Sequence, residues 1–168
     1  MMVLTGKKFA CVKISGRANF TLSIDFQMLL NELQKNGYSY VVMDLSDCML
    51  MDSTFLGMLT GFGLKMTQAN GQSGLHTVEL LNPNARISEL LESLGVLHLF
   101  KICQGTFSLS ECVLQPSLQA ANPNQEQLTR ACLEAHETLM SLSAENARKF
   151  KDVAQYLADE LKKQKVVA

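Results

Sequence analysis

A chain of 168 residues with 47% hydrophobic residues holds enough apolar surface for one core with an appendage. Its 15 Lys and Arg against 16 Asp and Glu leave a formal charge of -1, which excludes the broad basic field that draws a protein to nucleic acid or an anionic membrane surface. No stretch approaches the roughly 20 uncharged residues of a membrane span, and the apolar start MMVLTG is broken at once by Lys7 and Lys8, so the chain reads as soluble and cytoplasmic, with no direct membrane insertion.

The elements alternate between two periods. KFACVKISG alternates apolar and polar residues from Phe9 to Ile14 and closes on Gly16, the pattern of a strand ending in a turn. SIDFQMLLNELQKNG sets Ile24, Met28, Leu29 and Leu33 at helical spacing, with Gly37 as its stop. YSYVVMDLS is then a continuous β-branched run, as expected of a central parallel strand covered on both faces. STFLGMLTGFGLKMTQANG reads as a helix carrying Leu56, Leu59, Leu64 and Met66. Its internal Gly57, Gly61 and Gly63 each cost about 1 kcal/mol relative to Ala, so they imply a small face lying tight on the sheet. A phosphate loop is excluded, because GFGLKMT lacks the Gly-Lys-Ser/Thr that such a loop needs.

LHTVELLN gives another strand, and NPNARISELLESLGV a helix with Pro83 near its start, Ile87, Leu90, Leu91 and Leu94 on one face, and Gly95 at its end. HLFKI is a short strand or bend, SLSECVLQ one or two helical turns, and Pro116, Asn122 and Pro123 mark a linker. The order is strand, strand or turn, helix, strand, helix, strand, helix, short strand: an α/β mixed sheet with helices packed on it.

Beyond the linker, Leu128, Cys132, Ala135, Leu139, Leu142, Asn146, Phe150, Val153 and Leu157 recur at steps of four and three, close to a heptad seam. Some forty helical residues would reach about 60 Å, and acidic residues near the start with Lys162, Lys163 and Lys165 at the end suit the helix dipole. The division is therefore a sheet domain over 1–115, a linker over 116–124, and one long amphipathic α-helix over 125–168. Its apolar stripe is covered in one of three ways: as a helical hairpin folded back on its own domain, by a second copy as a coiled coil, or by a partner's helix. Asn146 in the seam suits a pair of fixed register.

The chemistry-bearing residues are sparse. Cys11, Cys48, Cys103, Cys112 and Cys132 are odd in number and show no C-x-x-C spacing, so they read as buried thiols of a reducing compartment. His76, His98 and His136 are scattered without a metal or nucleophile motif and read as surface or satisfied core residues. No catalytic residue, metal site or cofactor is assigned. What stands out is an Asp-Ser-Thr triplet, Asp52 to Thr54, inside the apolar stretch VVMDLSDCMLMDSTFLGMLTGF. At minimum it is a turn and an N-cap, worth about 1 kcal/mol.

The stretch VVMDLSDCMLMDSTFLGM resembles the strand, loop and helix signature of the STAS domain, the fold of bacterial anti-sigma factor antagonists. Asp44, Leu45 and Ser46 match the strand end, Met51, Asp52 and Ser53 the helix opening, and Leu56 and Gly57 the pair that follows. SELLESLGVLHLFKI resembles the family's later helix and return strand, and the likeness covers residues 8 to 115. It implies that Ser53, with Thr54 as alternate, is phosphorylated by a partner serine kinase that is itself an anti-sigma factor, and that the charge breaks a partner complex. It also places partner binding at Asp52, Ser53, Thr54, Phe55 and Asn19. Phe55 stands where many relatives have Gly, either narrowing kinase access or anchoring a partner, and the polar mark near the first turn is altered to SGRANFT. Two function classes follow: a phosphorylation-switched antagonist that leaves ATP to its partner, or a constitutive adaptor in a transporter or signalling complex, assembled through the C-terminal helix.

Overall fold

A computed structural model of the chain describes residues 1–6, 9–69, 78–106, 113–114 and 122–167. Period-two alternation builds its sheet. In Met2–Thr5 (β1), Phe9–Ala18 (β2), Tyr40–Met51 (β3) and Val78–Leu81 (β4), the residues Val3, Ala10, Val12, Ile14, Val41, Met43, Val78 and Leu80 join one large core. Their neighbours Cys11, Val42 and Leu81 form a small cluster with Leu4, Tyr40 and Cys103, on the opposite face as the pleat requires. With Lys101–Cys103 (β5) and Val113–Leu114 (β6), the strand order is β5-β4-β3-β2-β1-β6. As expected, β3 is interior and parallel to its neighbours β2 and β4; β1 runs antiparallel to β2 and β6, so the sheet is mixed.

β2 does not stop near Gly16. Its register with β3 shifts between Lys13 and Ser15 and again between Gly16 and Arg17, with Gly16 at φ +77°, so the glycine sits at an irregularity within the strand rather than at a turn. Phe20–Lys35 (α1) buries Phe26, Leu29, Leu30 and Leu33, whereas Met28, placed on the apolar face by spacing, is 48% exposed. Gly37 ends the helix at φ +75°, with backbone bonds Gly37 N to Gln34 O and Tyr38 N to Leu33 O satisfying its last carbonyls. Ala85–Ser93 (α3) is capped by Asn84, whose side chain accepts from Ile87 N at 3.0 Å. HLFKI resolves into a 3-10 turn, Leu97–Leu99, followed by β5. Val113 and Leu114 pair with Thr5 and Leu4 as a strand, not the helical turn expected of SLSECVLQ; Ser108 to Cys112 and the linker residues 116–121 lie outside the described residues, as does His76. Cys11 and Cys48 are buried, but Cys103 and Cys132 are only half-buried.

The largest correction concerns the C-terminal segment, which is two helices and not one. Gln125–Met140 (α4) begins with a capping box between Asn124 and Gln127, and Ala144–Val167 (α5) follows a turn at residues 141–143. Ser143 caps α5, its hydroxyl accepting from Asn146 N at 3.1 Å, which lets the chain reverse within three residues. The heptad seam is spent inside this hairpin and against the sheet domain. Ala131, Ala135, Leu139 and Phe150 belong to the same core as the strands; Leu128, Cys132, Leu142 and Leu157 are half-buried, and Val153 is 44% exposed. Asn146, 1% exposed, donates to Leu94 O at 2.9 Å and Leu139 O at 3.1 Å. A buried amide bonded in this way fixes the hairpin's register on α3's end rather than on a second chain.

Ser53–Ala69 (α2) explains its glycines by the same contact. A Cβ on Gly57 would lie 2.3 Å from the carbonyl oxygen of Ala135, and one on Gly61 3.6 Å from Thr138. Gly57 and Gly61 thus meet α4, not the sheet, while Gly63 faces the ring of Phe100. Gly57→Ala is therefore expected to destabilise the protein by about 1–3 kcal/mol through overpacking, despite the better helix propensity of Ala. Gly61→Ala, with ordinary contact distance, should be neutral or stabilising by up to about 1 kcal/mol; urea unfolding of the two variants measures the contrast.

On the opposite sheet face, Tyr40 donates a hydrogen bond to Glu79 Oε2, which Lys101 Nζ also meets at 3.1 Å. Burial alone pushes the Glu79 carboxyl up, but hydrogen bonds from Cys103, Tyr40 and Lys101 outweigh it and hold it below its usual range. Burial first, and the bond to Glu79 second, push Tyr40 up to about 12 from 10.0. Since the folded value exceeds the unfolded one, the phenol's contribution is complete below pH 10 and is lost as pH rises toward about 12. A stability-pH profile should show this alkaline loss in the native chain and lack it in Tyr40→Phe.

Candidate functional site

Where β3 ends, the chain turns directly into α2, and Asp52 is the single residue between them. Its backbone N–H donates to Ala18 O at 2.9 Å, tying the turn to the end of β2. Its carboxylate is divided between two helices: Oδ1 accepts from Phe55 N and Oδ2 from Phe20 N, both at 2.8 Å. The first is an N-cap of α2. The second supplies α1 with the cap its own N-cap residue lacks, since Asn19 makes no side-chain cap bond. The expected partner contact Asn19 is thus a half-buried neighbour of this junction.

Ser53 is consequently held at the first position of α2, where backbone N–H groups lack intrahelical partners and the dipole is positive. The residue is half-buried, and its hydroxyl lies 3.1 Å from His136 Nε2 on α4. His136 Nδ1 is 2.7 Å from Cys132 O. A carbonyl only accepts, so Nδ1 carries a proton, and in the neutral imidazole that tautomer leaves Nε2 as the acceptor for the Ser53 hydroxyl. His136 is 6% exposed and tilts against Phe150 at 5.1 Å between ring centroids. It is a satisfied core histidine, and the fold brings it to a serine 83 residues away. Nothing in the sequence joined the two.

The other triplet residues divide differently from the expectation. Thr54 is 6% exposed and its hydroxyl faces Cys132 Sγ at 3.9 Å under α4. Phe55 is fully buried, stacked on Phe26 with centroids 4.2 Å apart. It neither screens Ser53 from solvent nor offers an aromatic anchor at the surface; a bulky side chain at this position fills the α1–α2 interface. Beside Ser53 a groove of about 330 Å³ opens to solvent, with Phe20, Leu128, Val153 and Leu157 on its walls and Asp52 at its edge. Among the described residues its lining contains no lysine or arginine.

The Asp-Leu-Ser part of the signature is local structure. Asp44 Oδ1 accepts from both the amide and the hydroxyl of Ser46, at 3.0 and 2.6 Å, and Asn82 joins Ser46 to the loop at Gly105. His98 is exposed. Among the described residues no group of three His, Cys, Asp or Glu side chains is placed to hold a metal, and no helix is long and apolar enough to cross a membrane.

Comparison with known proteins agrees with this architecture. A structure from Thermotoga maritima, assigned provisionally as an anti-sigma factor antagonist, superposes with a TM-score of 0.54 at 18% identity, covering 64% of this chain and 88% of its own. The anti-sigma factor antagonist SpoIIAA in its unphosphorylated form gives 0.52 at 14% identity over 63% of this chain and 89% of its own. The phosphorylated form of SpoIIAA, a Bacillus cell fate determinant, gives 0.50 at 13% identity over 63% and 92%. At these identities the likeness is one of fold. No curated protein matches the chain. The family model described as STAS domain matches residues 2–108, and the chain therefore belongs to the STAS domain family.

Proposed function

We propose that this protein is a non-enzymatic regulatory binding module of the anti-sigma factor antagonist class, switched by phosphorylation of Ser53 by a partner serine kinase that keeps the ATP. The observation that carries this reading is the contrast within the triplet: Ser53 is half-buried at the rim of an open groove, while Thr54 is buried beneath α4. This contrast favours Ser53 over Thr54 as the acceptor. Its helix position favours a phosphate through free backbone N–H groups and the dipole, so α2 itself stays folded on modification. Its effect is on docking, where about -1.5 to -2 charges beside Asp52 repel and must be desolvated. That SpoIIAA is described in both unphosphorylated and phosphorylated forms is consistent with this.

A second reading, a constitutive adaptor in a transporter or signalling complex, draws on the packing of α4 beside Ser53, which makes the C-terminal hairpin a fixed part of the surface on offer. Phosphopeptide mass spectrometry on the protein isolated from its native host across growth conditions separates the two. We expect a fraction carrying phosphate on Ser53, none on Thr54, and a changed partner set for Ser53→Asp relative to Ser53→Ala. Unmodified Ser53 in every condition, with one partner set for both variants, overturns the switch and leaves the adaptor.

A further inference from the structure

We propose that the α4–α5 hairpin is an in-chain cover for the Ser53 switch, and that a phosphoryl group on Ser53 and the docked hairpin exclude one another. The inference rests on Ser53 being the acceptor and adds a regulator of that site carried by the same chain. Three contacts define the cover. His136 Nε2 takes the Ser53 hydroxyl at 3.1 Å. Cys132 lies over Thr54, with Sγ 3.9 Å from the threonine oxygen. One turn further along, the backbone of Ala135 sits so close to Gly57 that no Cβ fits between them. The first turns of α2 are thereby occupied by a helix of the chain itself, where an incoming protein would have to dock to reach Ser53.

Charge sets the direction of the coupling. Phosphorylation forms the Ser53 Oγ–P bond as the bond between the transferred phosphorus and the nucleoside diphosphate of the partner's ATP breaks, and the hydroxyl proton leaves to a base of the kinase or to water. The donor to His136 Nε2 is then gone, and a phosphate oxygen, itself an acceptor, faces an acceptor nitrogen. The titratable groups around it are Asp52 from the β3–α2 junction and Cys132 and His136 from α4; the groove walls are Phe20, Leu128, Val153 and Leu157. With no lysine or arginine among the described lining residues, the dianion is better solvated with α4 displaced. Linkage makes the effect reciprocal: the docked hairpin disfavours phosphorylation to the extent that phosphorylation disfavours docking.

The test uses the full chain with phosphoserine installed at position 53 by codon reassignment, so no kinase is needed. The readouts are alkylation of Cys132 by N-ethylmaleimide, resolved from the other cysteines by peptide mass spectrometry, and amide exchange in α4 against β3. Burial pushes the Cys132 thiol up, which keeps its labelling slow while the hairpin is docked. We expect Cys132 labelling and α4 exchange to rise on the order of tenfold or more with phosphoserine, with β3 exchange unchanged. Gly57→Ala in the unmodified chain, which pushes on α4 sterically, should raise the same two readouts. Unchanged labelling in the phosphoserine protein overturns the cover, and so does slower labelling, which would mean that a protonated His136 clamps the phosphate. Because the phosphate is placed chemically, either result bears on the cover alone; whether Ser53 is the acceptor is decided separately, by phosphosite mapping in the native host.

Discussion

One carboxylate organises the functional end of this molecule. Asp52 accepts the first free amide of α1 and an amide of the first turn of α2 while its own N–H is bound to β2, so two helices and two strands meet through a single residue. Each carboxylate contact is a charge-assisted hydrogen bond to a helix N-terminus, the stronger kind. Both carboxylate oxygens are engaged, which leaves the neighbouring Ser53 hydroxyl free of the capping role. A serine in the cap position would have its oxygen turned to the backbone; one residue later, it faces His136 on α4.

What that hydroxyl faces is the distinctive part of the chain. The STAS family model matches residues 2–108, while helices beyond that match pack against α2 and share the core of the sheet domain. Glycine in mid-helix is unfavourable, yet at Gly57 it permits the backbone of Ala135 to approach within the space of a missing methyl group. The cost in helix propensity is offset by burial of Ala131, Ala135 and Leu139. Asn146 adds a polar lock with two backbone carbonyls as partners, so the hairpin has one seating rather than a range of slipped ones.

Much of the sheet domain was legible in the residues because its signals are local. Alternation in KFACVK, the β-branched run before Asp44 and the glycine after α1 each act within a few residues, and the strand-loop-helix signature around Asp52 is contiguous in the chain. The errors fall where a local rule was overridden from a distance. Phe55, standing where many relatives have Gly, read as an aromatic beside the acceptor that narrows kinase access or anchors a partner, but the ring of Phe26 across the α1–α2 interface claims it. Met28 fits helical spacing yet points away from the core. The seam from Leu128 to Leu157 is periodic enough to suggest one continuous rod; Ser143, which looks like any polar residue within it, caps a second helix instead.

The sequence by itself determined the α/β class, the interior parallel strand, the N-terminal placement of Ser53 and the amphipathic character of the C-terminal segment, since each depends on side-chain type and spacing over one element. Only the tertiary structure decided which surface the amphipathic stripe covers, that Gly57 and Gly61 answer α4 rather than the sheet, and that His136 meets Ser53. Those outcomes depend on contacts between residues some eighty positions apart, whose meeting is fixed by the fit of two helix faces and leaves no periodic trace in either one.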